Sequence, residues 1–352
     1  VCRKCPERPR RDARRKTATS ELKVPTRTLA DVSELGFLAA LLPGMRKGPG
    51  TLVGPGQDCA VIRCGDRNWL FTVDALVAGV HFKPEWMSPR QIGRKSFLVN
   101  ASDVAAMGGR PRFCVVSLGL PSAYRSRDLF ALQDGIVAAA RDCGASVVGG
   151  NLSRAAELFV SIALLADAPK RIVTRRGARP GDRVYVTGTL GDAAAAVRLL
   201  DARGGERRAP SLIRRFREPA PRLHAGRILV ESGIVSAMID VSDGLIQDLA
   251  HVCDESRVGA RVDVAQVPLS PASRGNLGGS DSLALHGGED YELLCTVPER
   301  NVKRLERTRA RLGCPITWVG EITAGRGVRL VGRDGRPLRL RVTGFDHFRR
   351  SS

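Results

Sequence analysis

The stretch Trp69–Gly109, WLFTVDALVAGVHFKPEWMSPRQIGRKSFLVNASDVAAMGG, places a strand and a helix in succession, each with its own punctuation. Trp69–Val73 is rich in aromatic and β-branched residues and runs directly into Asp74. Ser88 then stands as an N-cap, with Pro89 at the first helical position and Gln91 three residues after the cap. This predicts a helix that runs to Met107 and stops at Gly108-Gly109. Upstream, Cys59–Ile62 and Trp69–Val73 flank Gly65-Asp66 and predict a hairpin, preceded by a glycine- and proline-rich loop over Gly48–Gly56. A short amphipathic helix is expected over Ala30–Leu42, ended by Pro43-Gly44. Downstream, Phe113–Leu118 reads as a strand and Arg127–Cys143 as a helix closed by Gly144, with Leu129, Leu132, Ile136 and Ala140 on one face. Strands at Ser146–Val148 and Leu158–Leu165 complete a first half of interleaved strands and helices.

Ala168–Arg171 reads as a boundary, after which the mixed pattern returns. Val184–Thr187 is a strand, Gly188–Gly191 a turn, Asp192–Leu200 an alanine-rich helix and Ala202–Arg208 a polar insertion. Ala237–Val241 is a strand, Leu245–Cys253 a helix, and Leu330–Leu340 a hairpin around Asp334-Gly335. The fold class is therefore α+β (mixed α/β) in two domains, 29–168 and 169–352, behind a basic tail, 1–28, expected to be disordered.

A length of 352 residues fits two domains, and 43% hydrophobic with 26% charged residues is the balance of a globular protein. The net charge of +20 first suggests nucleic acid. However, only eight of the 56 basic residues are Lys, the arginines are scattered, and the first 28 residues alone carry ten basic against three acidic side chains. Aromatic residues make up 5%, too thin for a base-stacking platform. No run approaches a membrane span, and the basic N-terminus lacks the apolar segment of a secretory signal. Nine dispersed cysteines, an odd count, match cytoplasmic usage, and Cys2-x-x-Cys5 lacks the second pair that a zinc site needs.

In so basic a chain, carboxylates in apolar settings are the informative feature, because burying one demands a cation or hydrogen bonds. Asp58 opens one strand, Asp74 follows another, and Asn100 and Asp103 share one side of the Ser88-capped helix. In Met238–Leu245, MIDVSDGL, strand alternation puts Asp240 and Ser242 on one face, while Asp243 stands where it could cap the next helix. Taken singly, each aspartate reads more readily as a turn or cap residue. Converged, they would make an all-oxygen set suited to Mg²⁺ and phosphates. P-loop, protein-kinase and G-x-S-x-G signatures are absent. The Gly188–Gly191 turn could hold a phosphate at a helix N-terminus, although such turns are commonly plain connections.

Several segments, in order, resemble the thiamine-monophosphate kinase family: GQDCA (56–60), VDALVAGVHF (73–82), VNASDVAAMG (99–108), GGN (149–151), TRRGARPGD (174–182), IDVSDGL (239–245), GGEDYEL (287–293) and GFDHF (344–348). The match spans about residues 30–348, and VDALVAGVHF with GFDHF separates this family from its relatives, which include aminoimidazole-ribonucleotide synthetase and selenophosphate synthetase. The resemblance implies ATP-dependent phosphorylation of thiamine monophosphate to thiamine diphosphate by direct transfer. It also implies a homodimer paired through the N-terminal domains, and several Mg²⁺ ions. Carried over by position, Asp58, Thr72, Val73, Asp74, Asp103, Asn151, Asp240 and Asp243 would be metal ligands, with Asp74, Asp103 and Asp240 at the catalytic centre. Gly150, Arg175 and Ser242 would contact ATP, and His81, Glu289 and Phe345 would line the thiamine-phosphate site.

The chain departs from the family pattern at Gln57 and Asn151, where Asp is usual, and at Val73, where Thr is frequent. Asn151 brings no charge, a departure that bears on the number of metals more than on the activity. The alternatives are another ATP-dependent enzyme of the same superfamily, or a basic RNA-binding protein on a degenerate scaffold. The first would lack the segments around His81 and Phe345; the second would have lost its metal ligands.

Overall fold

The computed structural model describes residues 48–202, 205–277 and 281–338, together with Gly36 and 40–45. The expected tail, most of the Ala30–Leu42 helix, the Cys2-Cys5 pair and Phe345 lie outside the described residues. From Leu41 onward the described chain belongs to one compact unit.

The first half runs β1 (Thr51–Val53), β2 (Ala60–Cys64), β3 (Arg67–Val77), α1 (Pro89–Ala106), β4 (Arg110–Leu120), α2 (Ser126–Asp142), β5 (Ser146–Arg154) and β6 (Phe159–Asp167). Its six strands form a mixed sheet in the order β1-β2-β3-β6-β4-β5, antiparallel except for the β4/β5 pair. The capping box is present: Gln91 N donates to Ser88 Oγ at 3.3 Å, and Ser88 N donates to Gln91 Oε1 at 3.0 Å.

The second half runs β7 (Arg183–Thr187), α3 (Asp192–Asp201), α4 (Pro210–Arg217), α5 (Leu223–Glu231), β8 (Ala237–Val241), α6 (Leu245–Ser256) and β9 (Gly259–Asp263). It continues through α7 (Pro271–Leu277), α8 (Asp281–His286), β10 (Glu292–Val297), α9 (Glu299–Thr308), β11 (Ile316–Thr323), β12 (Gly327–Val331) and β13 (Pro337–Leu338). These strands form a second mixed sheet, β13-β12-β9-β11-β7-β10-β8, in which only β12/β9 is parallel. One apolar core joins the halves, since Val61, Phe97, Ile136 and Leu164 cluster with Leu199, Leu212 and Phe216.

Helix α1 is the axle of this arrangement, touching α2, β3, β6, α5 and β8. Its buried residues Ile92, Lys95, Phe97, Val99, Ala101 and Val104 cover nearly every side, so it lacks the solvent face of an ordinary surface helix. It meets α2 at paired glycines: a Cβ on Gly93 would lie 2.0 Å from the Leu132 carbonyl oxygen, and one on Gly135 would lie 2.1 Å from that of Arg90. Only hydrogen at both positions lets the two backbones approach this closely.

The first sheet lays one face on α1 and leaves an apolar stripe on the other. Phe71, Leu165 and Phe113 form one cross-strand row, and Val73, Ala163 and Val115 the next. Phe71 is 43% exposed, Val73 62%, Phe113 43% and Val115 46%.

Several boundaries differ from the expectations. The Gly48–Gly56 loop contains β1, held by pairing Thr51 with Ile62, a tertiary contact without a periodic signature. Strand β3 continues through Asp74 to Val77 because β6 pairs along that whole length, so Asp74 lies within the strand rather than after it. Gly149–Asn151 lies within β5, paired with β4. The cysteines are not uniformly buried: Cys64 is exposed.

Helix propensity alone predicts that Gly135→Ala stabilises by about 1 kcal/mol. The α1–α2 contact predicts instead a net loss of about 1–3 kcal/mol from overpacking, measurable as a lowered urea midpoint and melting temperature.

Candidate active site

Strand β3, helix α1, strand β8 and the loop before β2 bring their carboxylates together. Oxygens of Asp58, Asp103 and Asp240 lie within 4.8 Å of one another. Each is held from one side. Thr72 Oγ1 donates to Asp103 Oδ2 at 2.6 Å, and Ser102 Oγ donates to Asp240 Oδ2 at 2.6 Å. Arg175 donates from Nε and Nη2 to Asp58 Oδ1 at 3.0 and 2.6 Å. Gln57, where the family pattern has Asp, accepts from Arg175 N at 2.8 Å and so anchors the segment that carries this arginine.

The electrostatics are those of a site short of positive charge. Burial, then the charges of Asp240, Asp74 and Asp58, push the Asp103 carboxyl well above the usual range. Burial and Asp58 push Asp240 up to about 7. Burial raises Asp58 too, even against its bond to Arg175. Asp58 Oδ2 is buried with no hydrogen-bond partner among the described residues. A buried carboxylate oxygen without a partner, beside two further carboxylates, fits a hard divalent cation. From Thr72 onward β3 pairs only with β6, since β2 ends opposite Phe71. Among the described strands, β6 is therefore the one that borders Thr72–Asp74.

Two loops close the site from the second half. Asp248 Oδ2 accepts from the backbone N–H groups of Ser242, Asp243 and Gly244 at 3.1, 3.1 and 3.0 Å. Asp248, one turn inside α6, thus holds the loop that leads into the helix, and the N-cap position is Gly244, with φ of 114°, rather than Asp243. Asp243 is left beside Gln247, which donates to its Oδ2 at 3.1 Å. Against this loop lies 287–291: Glu289 N donates to the Ser242 carbonyl at 2.8 Å, and a Cβ on Gly288 would sit 2.3 Å from that same oxygen. Lys95 of α1 reaches Glu289, its Nζ donating to Oε2 at 3.1 Å.

At the Gly188–Gly191 turn the acceptor is internal. Asp290 accepts from Gly191 N at 2.5 Å and Ala193 N at 3.1 Å, so the α3 N-terminus holds a carboxylate of this chain rather than a phosphate.

His81 lies in the turn after β3, its Nδ1 accepting from Val77 N at 3.1 Å. A backbone N–H can only donate, which fixes the neutral ring's proton on Nε2. Gly150 and Asn151 are not brought to the aspartates. Asp74 aligns with Ile162, Val116 and Gly150 across β3-β6-β4-β5, so about 14 Å separates β3 from β5 at roughly 4.8 Å per strand. Asn151 pairs with Ser117, on the sheet face opposite Val116, and is exposed. The Val73 side chain also points to that outer face, so only its backbone is available to the cluster.

Sequence reasoning missed Ser102, Asp248, Asp290 and Lys95. Lys95 alone left a trace, as the one charge spaced i+3 from Ile92 and i−4 from Val99 on a buried helix face.

Family models for the AIR synthase related protein match residues 56–167 (N-terminal domain) and 179–333 (C-terminal domain). The thiamine-monophosphate kinase of Escherichia coli (strain K12) is 38% identical over 303 residues, covering 84% of this chain and 92% of that protein. A solved structure of AaThiL complexed with AMPPCP and TMP aligns with a TM-score of 0.80 at 30% identity, covering 92% of this chain and 99% of that one. The thiamine-monophosphate kinase structure from Stenotrophomonas maltophilia K279a aligns with a TM-score of 0.71 at 34% identity, covering 87% and 98%. With the mixed α/β fold and the segments around the aspartates in agreement, the chain belongs to the thiamine-monophosphate kinase family.

Proposed function

We propose that this chain transfers the γ-phosphoryl group of ATP to thiamine monophosphate, forming thiamine diphosphate and ADP. The observation that carries the reading is the convergence of Asp58, Asp103 and Asp240 from three separate elements in a member of this family. In our reading residues 29–168 form the ATP- and metal-binding, dimerising domain and 169–352 the second, in a cytoplasmic enzyme. Among the described residues no helix is long and apolar enough to cross a membrane.

Asp58, Asp74, Asp103, Asp240 and Asp243, with oxygens of Thr72 and Val73, would hold Mg²⁺. Bound there, the ions would neutralise the repulsion between two anionic substrates and orient their phosphates. Arg175 presents a planar fork that suits a phosphate of ATP as well as Asp58, with Ser242 and Gly150 as further ATP contacts. His81 offers an Nε2–H donor toward thiamine monophosphate, and Glu289 a carboxylate toward the thiazolium; Phe345 completes our substrate set. A phosphate oxygen already carries negative charge, so the acceptor needs no general base. In our reading the transfer is direct, with no phosphorylated residue of the chain between donor and acceptor.

A second copy of the chain is the natural cover for the apolar stripe of Phe71, Val73, Phe113 and Val115. Asn151 lies on that same face, and we assign it to the dimer side rather than to the aspartate cluster.

A coupled assay with ATP, Mg²⁺ and thiamine monophosphate tests the function. Thiamine diphosphate should form, and Asp74→Asn should lower kcat by at least about 100-fold with an unchanged melting temperature. Near-native turnover in that variant would remove Asp74 from the site.

The raised carboxyl pKa values give a second test. A folded pKa above the unfolded value makes the metal-free protein lose stability as pH climbs from the ordinary aspartate range through about 7. Mg²⁺ alone should therefore raise the melting temperature more at pH 8 than at pH 6, and an equal shift at both would contradict the cluster's role.

Finally, Val115→Glu should convert a sedimenting dimer to monomer, whereas an unaltered sedimentation coefficient would place the interface elsewhere.

A further inference from the structure

Lys95 is fully buried in α1, a helix otherwise filled with apolar and small side chains. Its ammonium sits 3.6 Å from the ring centroid of Phe216 on α4 and donates to Glu289 Oε2 at 3.1 Å. Phe216 in turn meets Trp86 edge-to-face at 6.0 Å, and the Trp86 carbonyl accepts from Arg217 Nε. Trp86 belongs to the same connection, between β3 and α1, that carries His81. The lysine is thus a node between both substrate-side loops and the helix that bears Asp103.

Two unfavourable features coincide at this node. A lysine has lost all its water where a methionine would fill the same space without a charge. Glu289 adopts φ of 68° and Tyr291 φ of 52°, left-handed conformations that favour glycine. A chain shaped for stability alone would place neither the charge nor these residue types there. The cost of each is explained if the other is its purpose: the ammonium fixes the Glu289 rotamer, while the strained loop aims it. Glu289 remains 24% exposed, so it has an accessible surface as well as a buried anchor.

We propose that Lys95 is the positioning residue for Glu289, setting affinity for the thiazolium-bearing substrate without touching ATP. The proposal rests on the reading of Glu289 as part of the thiamine-phosphate site. It predicts that loss of the ammonium acts on one substrate only.

Four proteins test it: the wild type, Lys95→Met, Glu289→Gln, and the double variant, each measured for kcat, for both KM values and for melting temperature. Lys95→Met should raise KM for thiamine monophosphate by at least about tenfold while KM for ATP stays within about twofold. The double variant, a neutral pair of similar volume, should fold and match Glu289→Gln alone in KM. If Lys95→Met does not fold, that comparison decides: a double variant weaker than Glu289→Gln by more than about threefold in KM overturns the proposal. It is equally overturned if Lys95→Met folds with an unchanged KM for thiamine monophosphate, or shifts both KM values together. An unchanged KM in Glu289→Gln would refute instead the placement of Glu289 in the substrate site.

Discussion

Several carboxylates share one nearly water-free corner, and the rest of the molecule is arranged around making that tolerable. Asp58, Asp103 and Asp240 would repel one another and take up protons if left alone, as their raised pKa values express. Arg175, Thr72 and Ser102 each satisfy one carboxylate and leave the remaining oxygens directed at common ground. Such a set of converging acceptors suits a polyanionic substrate that arrives with divalent cations.

Rigid scaffolding follows from that need. Helix α1 carries Asp103 and Ser102 on one stretch and Lys95 two turns earlier, and it is clasped by α2, α5 and both sheets. The glycine contacts with α2 fix how closely the two helices lie. The second half supplies two loops that lock on each other through Gly288 and Ser242. Asp248 and Asp290 spend their own carboxylates holding backbone N–H groups of these loops. Carboxyl groups are thus used twice: toward ligands, and internally to shape the chain.

The arginines behind the overall charge of +20 are scattered along the sequence, and part of the excess has internal partners. Glu292, fully buried, is gripped by Arg215 and Arg222 and by Thr187 Oγ1, a cluster that ties α4 and α5 to β10.

The sequence by itself determined the local pieces with strong chemical punctuation. The capping box at Ser88, the Gly65-Asp66 turn, the helix ended by Gly144 and the β8–Gly244–α6 junction all depend on neighbours within a few residues. The motif segments also named the family. Only the tertiary structure decided the rest. β1 exists because β2 pairs with it, and β10, buried at all six positions, carries no alternating pattern, whereas α4 does keep an apolar face, Leu212, Ile213 and Phe216. That Asp58, Asp103 and Asp240 meet, while Asn151 stands three strands away on the other face, depends on sheet order and on side-chain alternation. Spacing along a chain cannot encode either, because both arise from contacts between residues far apart in sequence.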